Sequence, residues 1–102
     1  MGLDLAIRNG TIVDGSGAPR FQADIGIQDG QIVEIGRIRS GATQVIDAEG
    51  HVVAPGFIDG HTHMDAQVAW DPLGSCSCWH GVTSVIMGNC GFALAPCQPD
   101  QR

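Results

Sequence analysis

Val53-Ala54-Pro55-Gly56-Phe57-Ile58-Asp59-Gly60-His61-Thr62-His63 is the stretch on which the fold turns. An apolar run, Val52 to Ala54, meets a Pro-Gly break and resumes as Phe57-Ile58-Asp59 before polar residues take over. That pattern predicts a buried strand ending in histidines. On a β-strand, residues two apart point to the same face, so His61 and His63 would present their imidazoles together. Two neutral imidazoles side by side can bind Zn²⁺ or a similar borderline metal at about 2.0–2.1 Å. The spacing alone is a weak signal, since His-x-His also arises by chance. Its setting, with Asp59 and Asp65 on either side, makes it stronger.

Downstream, Asp71-Pro72 reads as a helix start with Pro at the first helical position. Residues 72–80 are expected to form a short helix closed by Gly81. Val82 to Met87 is a β-rich apolar run, followed by Gly88-Asn89-Cys90-Gly91. Strand, helix and strand in this order make one βαβ unit, normally parallel and right-handed. Two parallel neighbours place their carboxyl ends on one rim. A thiolate at Cys90 could then reach a metal held by His61 and His63, with the flanking glycines allowing close approach. The metal itself would deprotonate the thiol. The plain alternative is that Cys90 is a small buried apolar residue. The tail from Pro96 onward is polar and Pro-rich and is expected to fray.

Upstream, residues 1–55 are short Ile- and Val-rich runs punctuated by Gly and Asp. Leu3 to Asn9 alternates with period 2, a strand with one buried face. Asn9-Gly10 reads as a tight turn before a second strand, Thr11-Ile12-Val13. Ala23 to Gln28 and Gln31 to Gly36 flank Asp29-Gly30, the strongest hairpin signal, because a type I′ turn needs positive φ at both central residues. The adjacent Ile32 and Val33 suggest a strand buried on both faces. Gln44 to Ala48 and His51 to Ala54 read as another pair around Glu49-Gly50. With no helical period in this half, the reading is an all-β meander of about six strands.

The chain has 102 residues, whereas a complete (β/α)8 barrel takes about 250. At 43% hydrophobic and 16% charged, it is not disordered by composition. The net charge is −6, lysine is absent and the five arginines are scattered. That argues against nucleic-acid or anionic-membrane surfaces, which need a basic patch. No run of about 18 apolar residues is present to span a membrane, and the N-terminus lacks a signal-peptide pattern. A cytoplasmic location is the expectation. Cys76, Cys78, Cys90 and Cys97 could pair as two disulfides; in that compartment free thiols or a metal ligand fit better.

The stretch from Val53 to His63 resembles the first-strand signature of the amidohydrolase superfamily. His63-Met64-Asp65-Ala66-Gln67, Trp79-His80-Gly81-Val82-Thr83 and Gly88-Asn89-Cys90-Gly91-Phe92 resemble its N-acyl-D-amino-acid deacylase (D-aminoacylase) branch. So do Ile7 to Gly15 and Ile27 to Ile32, so the resemblance covers nearly the whole chain. It implies a TIM barrel beside a small composite β-sandwich of urease-alpha type. The reaction implied is hydrolysis of a non-peptide amide by metal-activated water, often on N-acyl-D-amino acids. By motif match, His61 and His63 stand at the first-strand metal ligands. Cys90 stands at the cysteine ligand of this branch, which replaces the carboxylated lysine of other amidohydrolases. The absence of lysine agrees, and both features argue against a dihydroorotase or hydantoinase type.

The remaining candidates have plainer readings beside the chemical ones. Asp65 is a capping carboxylate or a residue behind the metal ligands. Asp59 reads as holding a neighbouring backbone group or histidine. His80 suits a helix end, where it meets the dipole. Cys76-x-Cys78 is a metal clip only if a partner pair exists, and His51 reads as a surface residue of a strand.

The expected architecture is therefore mixed β and α/β. Residues 1–55 form the N-terminal part of a small β-sandwich, and 56–102 the first βαβ unit of an incomplete metal-dependent hydrolase barrel. The site reading is metal: His61, His63 and Cys90, with Zn²⁺ implied, a small amide substrate, and no complete catalytic set. No general base follows Cys90, so the isolated chain is expected to be inactive. The alternative is a truncated, non-catalytic module that self-associates through exposed strand edges, with domain swapping as one route.

Overall fold

The computed structural model describes residues 2–91 and 98–101. The chain divides into two compact units, Met1–Pro55 and Gly56–Arg102.

Unit 1 is a five-stranded mixed sheet built from β1 (Leu3–Ile12), β2 (Phe21–Gln28), β3 (Gln31–Gly36), β4 (Ala42–Asp47) and β5 (Val52–Val53). The order is β3-β2-β1-β4, with β5 also pairing β1. The Asp29-Gly30 hairpin forms as expected, with φ of 51° and 72° at its two centres.

Three expectations fail here. Asn9-Gly10 is not a turn: β1 runs straight through it as one strand. Arg8 and Asn9 lie opposite the single residue Asp24, which makes a β-bulge with Asn9 at φ 61°. Asn tolerates the left-handed region, so the same dipeptide serves turn or bulge. Gly10 is needed for another reason, since a Cβ there would sit 2.7 Å from Val53 Cγ2.

The meander also fails. β4 and β5 do not pair with each other around Glu49-Gly50; both run parallel to β1. Finally, β3 is an edge strand rather than a doubly buried one, and Ile32, Val33 and Ile35 are 61%, 56% and 54% exposed. The mixed-β character expected for this half holds, and the partial sandwich is represented by this one sheet among the described residues. Its small core gathers Leu3, Ala6 and Ile38, with Ala42 packed against them. Gly26 admits this cluster: a Cβ there would meet Leu3 Cδ1 at 2.9 Å.

Unit 2 contains β6 (Phe57–Asp59), α1 (Met64–Gln67), α2 (Ser75–Trp79), β7 (Val82–Val85) and a 3₁₀ turn, Pro99–Gln101. β6 and β7 pair in parallel, Ile58 opposite Ser84 and Asp59 opposite Val85. The strand–helix–strand reading therefore holds, with β7 ending at Val85 rather than Met87. The helix does not begin at Pro72. Gly74, at φ 57°, interrupts the chain, and α2 starts at Ser75. The Asp71 carboxylate accepts hydrogen bonds from the Ser75 backbone N–H at 2.9 Å and its hydroxyl at 3.1 Å. Burial pushes the Asp71 carboxyl up, but these bonds and one from Gln67 hold it below its ordinary value. Gly81 closes the helix at φ 81°, as expected. α1 was not anticipated. Pro96 and Cys97 lie outside the described residues, and the tail beyond them includes the 3₁₀ turn.

Candidate metal-ligand rim

β6 stops at Asp59, so His61 and His63 lie beyond the strand. The same-face expectation for a strand therefore does not apply to them. The chain turns because Asp59 Oδ1 accepts the His61 backbone N–H at 3.1 Å. His63 then serves as the N-cap residue of α1, at φ −102° and ψ 23°.

Two further contacts fix this segment. The buried Thr62 hydroxyl donates to the Ile86 carbonyl at 3.0 Å and accepts the Met64 backbone N–H at 3.4 Å. Asn89 Nδ2 donates to the Gly60 carbonyl at 2.6 Å. Both join the exit of β6 to the exit of β7, and neither had been given a role.

The result is one close pair. Cys90 Sγ lies 3.0 Å from His63 Nε2, and Cys90 is half-buried. Sulfur and imidazole nitrogen are zinc-type donors. Around one tetrahedral zinc they would stand about 3.6 Å apart, given bond lengths of about 2.3 and 2.0–2.1 Å. Opening by roughly half an ångström would admit the ion, so this pair fits a borderline metal.

The structure does not gather the full trio. Among the described residues, no group of three or more His, Cys, Asp and Glu side chains is placed to hold a metal. Asp65, in α1, is 7% exposed, and its Oδ2 is buried without a hydrogen-bond partner. His80 caps the end of α2, in agreement with its plainer reading. Cys76 and Cys78 are exposed free thiols, and Cys78 Sγ contacts the Ser75 carbonyl at 3.2 Å. They form no clip among the described residues. Cys97 lies outside those residues. His51 is exposed, with Nδ1 2.9 Å from the Glu49 carbonyl, in the turn before β5. A concavity of about 1120 Å³ belongs to unit 1 and is lined by residues such as Arg20, Asp24 and Arg37; it takes nothing from this rim. No described helix is long and apolar enough to cross a membrane.

Comparison with known proteins gives the rim its setting. Residues 44–102 match the amidohydrolase family, and residues 1–58 match the urease alpha-subunit N-terminal domain. The chain belongs to the amidohydrolase family, and the relatives it is similar to include N-acyl-D-amino-acid deacylases. It is 44% identical over 95 residues to an N-acyl-D-glutamate deacylase of Alcaligenes xylosoxydans xylosoxydans, covering 92% of this chain and 20% of that one. Its fold is similar to the N-acyl-D-glutamate deacylase of Bordetella bronchiseptica, solved with zinc and a phosphonate mimic of the tetrahedral intermediate. The TM-score is 0.89 at 44% identity, over 95% of this chain and 21% of that one. A crystal structure of D-aminoacylase, described as defining a novel subset of amidohydrolases, gives a TM-score of 0.86 at 41% identity, over 92% and 20% of the two chains. The chain thus spans about a fifth of the length of these relatives.

Proposed function

We propose that the architecture to which this chain belongs hydrolyses the amide bond of N-acyl-D-amino acids, and that the chain supplies one edge of its metal site. His63 and Cys90 would hold the ion, joined by His61 after a local rearrangement of the loop beyond β6. The observation that carries this reading is the Cys90–His63 contact across the ends of two parallel strands. A bound divalent metal such as zinc would supply Lewis acidity and a water of lowered pKa. The part played by the chain is to position ligands. Asp59 holds the loop, Thr62 and Asn89 tie it to the β7 exit, and β6 and β7 are read as the first strands of a TIM barrel with 56–102 as its opening segment. A cytoplasmic location accords with the free thiols of Cys76, Cys78 and Cys90.

The test is a chimera in which this chain replaces the matching fifth of an N-acyl-D-glutamate deacylase. Zinc-dependent release of D-amino acid is expected, and it is expected to vanish with Cys90→Ala or His63→Ala. A folded, zinc-loaded chimera that hydrolyses no N-acyl-D-amino acid would overturn the proposal. The 102-residue chain alone is expected to be inactive; turnover by it would refute that part.

A second reading has its own observation. Register pairs align Ile46, Ile7, Ile25 and Ile35 across the sheet of unit 1, and Leu5, Ile27 and Ile32 beside them. The outer members Ile46, Ile35 and Ile32 are more than half exposed. Such a face next to an edge strand favours association with a second copy. Light scattering decides it: a monomer at micromolar concentration would count against self-association.

A further inference from the structure

Asp65 Oδ2 is a buried carboxylate oxygen with no hydrogen-bond donor. An acceptor in that state is costly, and native proteins seldom leave one unmatched. Among the described residues of unit 2 there is neither lysine nor arginine. Its ring donors are the indoles of Trp70 and Trp79, both exposed, and the imidazoles of His61, His63 and His80. His80 caps α2, whereas His63 caps the short helix that carries Asp65 two residues on. The His63 ring already has an orientation, because Nε2 is the nitrogen 3.0 Å from Cys90 Sγ. Nδ1 is on the other edge of the ring. For Nε2 to offer a lone pair to a metal, the ring proton must sit on Nδ1, and a carboxylate acceptor commonly keeps it there.

We propose that Asp65 is a positioning residue for His63: it accepts the Nδ1–H and thereby presents Nε2 to Cys90 and to the metal. A shift of the α1 turn brings the two groups together, and the orphan oxygen of Asp65 gains its donor. The same tautomer suits the metal-free pair, where the Cys90 thiol donates to Nε2. The inference rests on the proposed metal site for its binding arm alone. Its tautomer arm is independent of any metal.

The experiment uses the whole 102-residue chain with ¹⁵N-labelled histidine, at mildly alkaline pH. In the metal-free wild type, His63 is expected in the Nδ1–H tautomer; an Nε2–H tautomer there overturns the inference without recourse to a variant. Asp65→Leu is expected to shift His63 towards Nε2–H and to weaken zinc, measured by chelator competition, by about 10- to 100-fold. Asp65→Asn, which keeps a carbonyl acceptor, is expected to hold the tautomer and to lose less than tenfold. An unchanged tautomer in a folded Asp65→Leu chain, or zinc affinity within twofold of wild type, would refute the assignment. A wild-type chain that binds no zinc defeats the metal reading instead, and the tautomer comparison still decides the role of Asp65.

Discussion

Cys90 Sγ and His63 Nε2 meet at 3.0 Å although 27 residues separate them in sequence. The contact exists because β6 and β7 are parallel, so the loops leaving both strands emerge on one side. Local sequence distance could not have produced it; the crossover through α1 and α2 does.

Zinc is therefore expected to protect Cys90. In the metal-free chain, iodoacetamide should label Cys76, Cys78 and Cys90. Saturating zinc should slow labelling at Cys90 by at least about tenfold, because a coordinated sulfur is no longer free to attack. Cys76 and Cys78, both exposed, should react as before. Site-resolved mass spectrometry reads the three rates. Equal labelling of Cys90 with and without saturating zinc would remove it from the ligand set.

Thr62 should matter to stability more than its place between two histidines suggests. Thr62→Val leaves the Ile86 carbonyl and the Met64 N–H without their hydroxyl partner in a buried position. The expected loss is about 1–2 kcal/mol. Thr62→Ser keeps the hydroxyl and should lose roughly half of that or less. Urea denaturation compares the two; equal midpoints for Val and Ser would mean the hydroxyl bonds contribute nothing.

How much of this was readable beforehand follows from the range of each interaction. Asp29-Gly30 gave its hairpin because the turn's backbone demand is local and few residues meet it. β6 and β7 were readable as apolar runs, and with them the meeting of Cys90 and His63. Asn9-Gly10 misled because one conformational preference serves both turn and bulge, and the choice rests on Asp24 in another strand. β4 and β5 were misassigned because their true partner, β1, is tens of residues away, while Glu49-Gly50 offered a nearer one. α1 is four residues long, too short to show a helical period. His61 was placed with His63 by strand geometry, and the strand ends at Asp59 before that geometry can act.

The bulge predicts an acid response. Asp24 accepts the Asn9 N–H at 2.9 Å and the Ile38 N–H at 3.1 Å. The Asn9 bond is the chief cause of a carboxyl held below its ordinary value; burial opposes it, while Ile38, Arg8 and Arg37 reinforce it. A depressed folded-state value stabilises the fold fully above the unfolded value of about 3.9. That contribution is lost as pH falls through the lowered value. Solvent screening keeps it small, on the order of 0.5 kcal/mol. Asp24→Asn should flatten this part of the stability–pH curve. An identical acid limb in wild type and variant would show that Asp24 is not linked to folding.

The Pro55-Gly56 break yields the sharpest steric forecast. A Cβ on Gly56 would collide with Thr83 Cγ2 and Oγ1 and stand 2.7 Å from Thr83 Cβ. Thr83 lies in β7, between the registered partners Val82 and Ser84, so the clash falls within the parallel pair. Gly56→Ala should destabilise unit 2 by about 1–3 kcal/mol through overpacking. It should also weaken zinc, since β6 and β7 together set the distance between His63 and Cys90. Thr83→Ala alone should cost little because Thr83 is exposed. Combined with Gly56→Ala it removes two of the three colliding atoms and should recover part of both losses. Non-additivity of this kind marks residues in direct contact. Strictly additive effects in the double variant would show that Gly56 is required for backbone freedom and not for the approach of β7.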